Sequence, residues 1–449
     1  MNFVKVFTFR TLLLPALVFS LFSASIFAQS AATSVANQAS QVSEFEVNGL
    51  KVLLKRRASA PTVAVGLFIR GGARNLTPEN AGIESFMLNV AAEASRKYPR
   101  EIVRRDLAAI GTSIGSGSNN DYSVYSLAST LENFDKSWDI YSDLITAPKF
   151  DQSDTDRIRD GILAGLREQE SDADNFLQIL QDRVIYKDHP YSIEVGGTID
   201  TITGLTPKDL RDYHKKTMET SRLMLVVVGD IDSKYLAKKV AATLGKLPRG
   251  KYKEKPYPPL DFSKPTLDIS PRTLPTNYIQ GVVEAPPLSS PDYSAMRVAM
   301  TFLQGRFFQE VRVNRQLSYA PNAELNSLSA NTATIYVTAV DANQAISVML
   351  KEIENMKEFP VEDEVISGIG GHFLTLYYLD QQTNGAQVGE LAKYELIGGG
   401  WRNAFKFLDG IRKVTPADIQ AVSKKYMKNI RFAVVGNPRA ISENIFLQR

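Results

Sequence analysis

A stretch that occurs twice restricts this chain more than any other feature. Thr206 to Gly229 reads TPKDLRDYHKKTMETSRLMLVVVG and Thr415 to Gly436 reads TPADIQAVSKKYMKNIRFAVVG, at an offset of 209 residues that tightens by two at the final glycine. Besides the two threonines, Pro207 and Pro416, Asp209 and Asp418, Lys215 and Lys424, Lys216 and Lys425, and Met218 and Met427 coincide. Each copy has the same physical pattern: a capping threonine, proline at the first helical position, an amphipathic helix, then a β-branched run closed by glycine. Phe150 with Phe359 and Asp154 with Asp363 keep the offset, each pair opening a helix. Two homologous halves follow, a duplicated domain and not a many-repeat solenoid.

The 449 residues are 44% hydrophobic and 22% charged, enough for two or three cores. Lys and Arg number 52 against 49 acidic residues, and no basic run breaks the pattern, so nucleic acid is not indicated as a partner. The absence of cysteine excludes disulfides, thiol catalysis, thiolate metal sites and a lipid anchor on cysteine. Zinc would need histidine and carboxylate. Of the three histidines, His189, His214 and His372, no two are spaced to share a helical face, so a local histidine pair is impossible.

Residues 1–28 place Lys5 and Arg10 before an apolar run from Leu12 to Phe27, with small residues near Ala28. This predicts a secretory signal peptide, because the run is shorter than the roughly 20 residues a span needs. Residues 29–42 read as a flexible lead-in, 43–246 as an N-terminal domain, 247–265 as a proline-rich linker and 266–449 as a C-terminal domain. Asn48-Gly49 predicts a type I′ hairpin within Phe45 to Arg56. Thr62 to Arg70 predicts a buried strand ending in Gly71-Gly72-Ala73-Arg74, and a helix is expected from about Gly82 to Glu93. Gly111-Thr112-Ser113-Ile114-Gly115 matches a nucleophile elbow in letters only, since a helix precedes it and a strand follows. The glycine clusters Gly368 to Gly371 and Gly398 to Gly400 lack a phosphate-loop ending and read as helix caps or close packing.

The strand, GGAR and AGIESFMLNVAAE together resemble the insulinase and pitrilysin (M16) family of zinc peptidases. Tyr186 to Gly229 carries the clearest likeness, and the resemblance covers about Phe45 to Asn437. In that family the helix holds an inverted motif, two histidines one turn apart that bind zinc and a glutamate that activates water. Those positions fall on Ser85, Leu88 and Asn89. The family's third ligand, a glutamate, falls on Gly165 and its supporting glutamate on Ile158, with Glu168 and Glu170 nearby. The resemblance also implies a substrate-pairing edge strand near Ser116 to Ser126, and a structural role for His189 in its His-Pro-Tyr turn. It places a substrate-binding pair on Arg312 and Tyr319, the arginine to hold a carbonyl or terminus by forked hydrogen bonds and the tyrosine to supply a hydroxyl.

The fold so implied is α+β: two homologous domains, each an antiparallel sheet with helices on one face, enclosing a chamber. The function implied is that of a catalytically inactive, exported, periplasmic subunit without metal or cofactor. It would bind unfolded peptide and form a heterodimer with a zinc-bearing M16 peptidase subunit, in a protein-processing or peptide-degrading complex. A structural, core-protein-like subunit of an envelope assembly without a peptide role is the alternative, and an enzyme with an unrelated site a third reading.

Overall fold

Short alternating or wholly apolar runs form strands here, and longer runs with a 3.6-residue period form helices, so each half lays down a sheet and then its helices. The computed structural model describes residues 38–447, and the expected leader lies outside them. In the first half β1 (Val42–Val47), β2 (Leu50–Arg56) and β3 (Thr62–Arg70) lead to α1 (Ile83–Ala91) and α2 (Arg100–Ala109). Then come β4 (Ser113–Ser118), β5 (Tyr122–Thr130), α3 (Phe134–Thr146), α4 (Gln152–Ser171) and α5 (Ala173–Ile185). The half closes with α6 (Ile199–Gly204), α7 (Pro207–Thr217), β6 (Leu223–Gly229) and α8 (Ser233–Ala242). The second half runs β7 (Thr266–Pro271), β8 (Asn277–Glu284), α9 (Tyr293–Phe307), a π-helical segment Phe308–Asn314, β9 (Asn322–Leu325) and β10 (Thr332–Ala339). It ends with α10 (Ala342–Glu358), α11 (Asp363–Asp380), α12 (Asn384–Ile397), α13 (Phe407–Arg412), α14 (Pro416–Tyr426), β11 (Arg431–Gly436) and α15 (Glu443–Phe446).

The strand orders are β1-β2-β6-β3-β5-β4 and β7-β11-β8-β10-β9. Each sheet is antiparallel except for one parallel pair, β2 with β6 and β7 with β11. In both sheets the strand after the repeated helix inserts between the first parallel neighbour and the next antiparallel one. Local geometry repeats as well. Thr206 and Thr415 cap their helices with the same backbone angles, φ −107° and ψ 163°, each closing a box with Asp209 or Asp418. The hairpin turn is type I′, with φ of 49° at Asn48 and 84° at Gly49.

One arrangement goes beyond the expectation of helices on a single face. The first sheet turns Val52, Leu54, Val65 and Leu225 toward its own helices, while Leu53, Ala64, Phe68, Met224, Val226 and Val228 point the other way. That second face is covered by α12 of the opposite half, through Val388, Leu391 and Ala392. In return α5 of the first half lies on β8 and β11, setting Leu177 against Ala433 and Val435. Sheets buried on both faces need continuous apolar strands, which is why LMLVVVG and RFAVVG lack polar alternation. Polar contacts fix the exchange: Asn384 Nδ2 donates to the Thr62 carbonyl at 2.7 Å, and Gln181 Nε2 donates to the Arg431 carbonyl at 3.2 Å.

Residues 248–262 have no regular secondary structure and lie along the GGAR turn. Arg74 stacks on Tyr257 at 5.1 Å and pairs with Glu254, while Asn75 Nδ2 donates to the Tyr252 hydroxyl at 3.0 Å. Gly72 is required here, since a Cβ would come within 2.3 Å of the Asn119 carbonyl oxygen. The other glycine clusters divide. Gly398 caps α12 in close contact with Tyr394, as expected, but Gly368, Gly370 and Gly371 lie inside α11, where an added Cβ would meet nothing within 4 Å. They are neither caps nor close-packing residues.

Candidate functional site

The degenerate motif sits on α1, an apolar helix whose only charged residue, Glu84, is 1% exposed. Glu84 accepts hydrogen bonds from Ser123 Oγ at 2.5 Å, Tyr213 OH at 2.7 Å and Arg222 Nη2 at 3.0 Å. A buried carboxylate needs such a set of donors to offset the loss of water. The cluster ties α1 to β5, α7 and the start of β6, and so fixes how α1 presents the next residue, Ser85.

Ser85 and Gly165 meet at the wall of one cavity of about 810 Å³, between α1, α4, α5 and the segment Tyr191 to Asp200. Gly165 leaves the wall open, because a Cβ there would touch nothing within 4 Å. Leu88 is fully buried in the core, and Asn89 turns its Nδ2 back to the Ser85 carbonyl at 2.8 Å on the exposed face. Ile158 packs against the core of the first half. Of the nearby glutamates, Glu170 lines the cavity and Glu168 does not. This donor set does not fit zinc, which takes histidine nitrogen and carboxylate oxygen at short range. Among the described residues no group of three or more His, Asp or Glu is placed to hold a metal.

Part of the cavity wall is polar. Asp182 and Glu194 face it together with Asn175 and Gln178. Burial pushes the Asp182 carboxyl up to about 6, opposed by the Gln178 amide, which donates to it at 2.9 Å, and reinforced by the charge of Glu194. Asn175, Gln178 and Asp182 share one face of α5 at helical spacing, and Glu194 comes from the loop that follows that helix.

His189 is packed, as the turn reading expected. Its Nδ1 accepts from the Tyr191 amide at 3.1 Å, its Nε2 meets the Pro258 carbonyl at 3.0 Å, and burial lowers its pKa. The adjacent Tyr191 donates to Asp121, which also accepts the Ser329 amide of the second half at 2.9 Å. His214 is buried against Phe150 and the Ile145 carbonyl, and His372 lies on the surface of α11. Ser113 opens β4 after the turn at Gly111, so no strand-to-helix elbow exists there. Of the expected edge strand, Ser116 to Ser118 lie on β4, the outer strand of the sheet, whereas Tyr122 to Ser126 belong to the interior strand β5.

Arg312 and Tyr319 do come together. Arg312 projects from the π-helical segment, and its guanidinium carbon lies 4.0 Å from the Tyr319 ring centre and 5.0 Å from that of Phe308. The turn between them is closed by the Leu317 amide on the Val311 carbonyl at 2.9 Å. Tyr319 is 78% exposed, and the guanidinium forms no ion pair among the described residues. Its N–H edges stay available to an acceptor while its face is held by an aromatic ring.

The family model described as "Insulinase (Peptidase family M16)" matches residues 51–198, and that described as "Peptidase M16 inactive domain" matches residues 204–369. Mitochondrial-processing peptidase subunit beta of Saccharomyces cerevisiae is 22% identical over 429 residues, covering 89% of this chain and 92% of that one. A peptidase M16 inactive domain from Pseudomonas fluorescens superposes with a TM-score of 0.82 at 17% identity, covering 88% of this chain and 98% of that one. The first half of the periplasmic protease PqqL from Escherichia coli does so at 0.73 and 18%, covering 91% and 95%.

Proposed function

The chain belongs to the M16 insulinase family, and from that premise we propose that it is a non-catalytic subunit that holds unfolded peptide for a zinc-bearing relative. One observation carries this reading: Arg312 and Tyr319 are stacked, solvent-accessible and unpaired, while the motif positions Ser85, Leu88, Asn89 and Gly165 offer neither ligands nor a base. The arginine would fork onto a peptide carbonyl or carboxylate and the tyrosine hydroxyl would add a hydrogen bond. The outer strand β4 would offer backbone groups to an extended chain. Pairing with a catalytic M16 partner divides the labour, one shell supplying metal and base and the other supplying enclosure and grip. Export to the periplasm belongs to the same proposal, supported by the Lys5, Arg10 and Leu12 to Phe27 arrangement and by the likeness to a periplasmic protease.

The test is peptide binding by the purified protein with Arg312→Lys and Tyr319→Phe. Each keeps charge or ring and removes fork geometry or hydroxyl, so affinity is expected to fall about ten- to hundredfold, as loss of a hydrogen bond to a charged group implies. Thermal stability is expected to stay unchanged, since both groups are at the surface. Early melting with normal peptide affinity would make the pair structural.

A further inference from the structure

The chain has no cysteine, so a covalent tie between its halves needs other chemistry, and one contact between them holds the parts for it. Lys55 of β2 is 2% exposed. A buried ammonium is costly unless a carboxylate pairs with it, and among the described residues none lies within ion-pair distance. Its Nζ donates instead to two side-chain amide oxygens, Gln38 Oε1 at 2.9 Å and Gln381 Oε1 at 3.5 Å, and lies 5.3 Å from the centre of the Phe405 ring.

Gln381 stands in the turn between α11 and α12, and its amide is held at both ends. While Oε1 meets Lys55, Nε2 donates to Oε2 of Glu390 on α12, so one carboxamide lies between a lysine and a glutamate. Burial favours the neutral form of each: it brings the Lys55 ammonium down to about 8 and raises the Glu390 carboxyl. The charges of Arg57 and Asp380 support these shifts, and the attraction between Lys55 and Glu390 and the charge of Lys393 oppose them. The turn itself is pinned. Gln387 Nε2 donates to the Gln381 carbonyl at 2.6 Å, Arg57 Nη1 to Asn384 Oδ1 at 2.6 Å, and Asn384 Nδ2 to the Thr62 carbonyl. An amine, a carboxamide and a proton carrier fixed by the fold react as if at very high concentration.

We propose that Lys55 and Gln381 form an isopeptide bond that joins the first half to the second, with Glu390 as the proton carrier. The neutral Lys55 amine attacks Cδ of Gln381. As the Cδ–Nε2 bond breaks, Glu390 gives its proton to Nε2 and takes one from Nζ, so ammonia leaves and the carboxyl ends as it began. No oxidant or other reactant is needed. Gln38 is nearer to Nζ, but among the described residues no carboxyl meets its amide to protonate the leaving group. The bond spans 326 positions, the work that a disulfide does in chains that have cysteine. It is independent of the peptide-binding function.

The test is mass spectrometry of the purified protein, digested with trypsin under denaturing conditions both fresh and after prolonged incubation near pH 8, the Lys55 value. A branched peptide joining the Lys55 and Gln381 segments, uncut at Lys55, is expected at about 17 Da below the sum of its two arms, the mass of ammonia. Glu390→Gln and Gln381→Leu are expected to yield linear peptides only. Linear peptides alone from the parent under both conditions overturn the proposal. So does a branch at Gln38, or a Lys55–Gln381 branch that forms as fast in Glu390→Gln as in the parent. The parent's spectrum decides even where a variant fails to fold.

Discussion

In the first half, α4 carries Asp156, Asp160, Arg167 and Glu168 toward solvent and lines a polar cavity; in the second, its counterpart α11 is uncharged for four turns. The landmark phenylalanines differ likewise: Phe150 is 3% exposed and rests on His214, whereas Phe359 is 60% exposed. What lies inward did not diverge. Both halves keep the threonine box, the inserted parallel strand and the helix lent to the opposite sheet. Packing holds the inner faces of a duplicated domain to one solution, and the outward faces are free to diverge.

The largest test of this contrast uses Arg222, just before β6, and Arg431, which opens β11. Arg222 faces the buried Glu84, while Arg431 faces Asp261, whose side chain is 71% exposed. Arg222→Met is expected to cost about 3–5 kcal/mol in urea unfolding, because it strands a buried carboxylate, with much of the loss recovered by adding Glu84→Leu. Asp261→Ala is expected to cost under about 1 kcal/mol, as exposed pairs do. Equal losses would erase the distinction between the halves.

The next test is pH. The Asp182 carboxyl is raised to about 6 by burial, so it favours the folded state fully below the ordinary aspartate range, and that contribution is lost as pH rises through 6. Asp182→Asn is therefore expected to raise stability by on the order of 1–2 kcal/mol at pH 8, allowing for solvent in the cavity, an effect that vanishes below the ordinary aspartate range. A pH-independent effect would mean that the cavity does not burden this carboxylate.

The smallest effect is expected at two open helical glycines, one on α4 and one on α11. Gly165→Ala and Gly371→Ala are each expected to stabilise by up to about 1 kcal/mol, since both glycines are helical and open.

The local features were legible because their causes are local. Asn48-Gly49 demands positive φ, Thr206 and Thr415 need only the acid three residues on, and the absence of paired histidines is visible by inspection. The lone Glu84 in an apolar helix was a visible anomaly, but Arg222 lies 138 residues away and no periodicity points to it. Asn175, Gln178 and Asp182 recur at helical spacing and could have been read as one polar face, but nothing local says that the face lines a cavity shared with Glu194. The exchange of α5 and α12 left a trace in the uninterrupted apolar strands, which said that both faces are covered without saying by which half.

That exchange has a consequence for how such a chain arises and comes apart. A single half, on its own, would leave one face of its sheet bare, and could cover it only by trading helices with a second copy. The duplicated chain is built as two halves that each cover one face of the other's sheet, with residues 248–262 running between them. Cutting between the halves is therefore expected to leave the fragments associated in gel filtration, held by Leu391 on one sheet and Leu177 on the other.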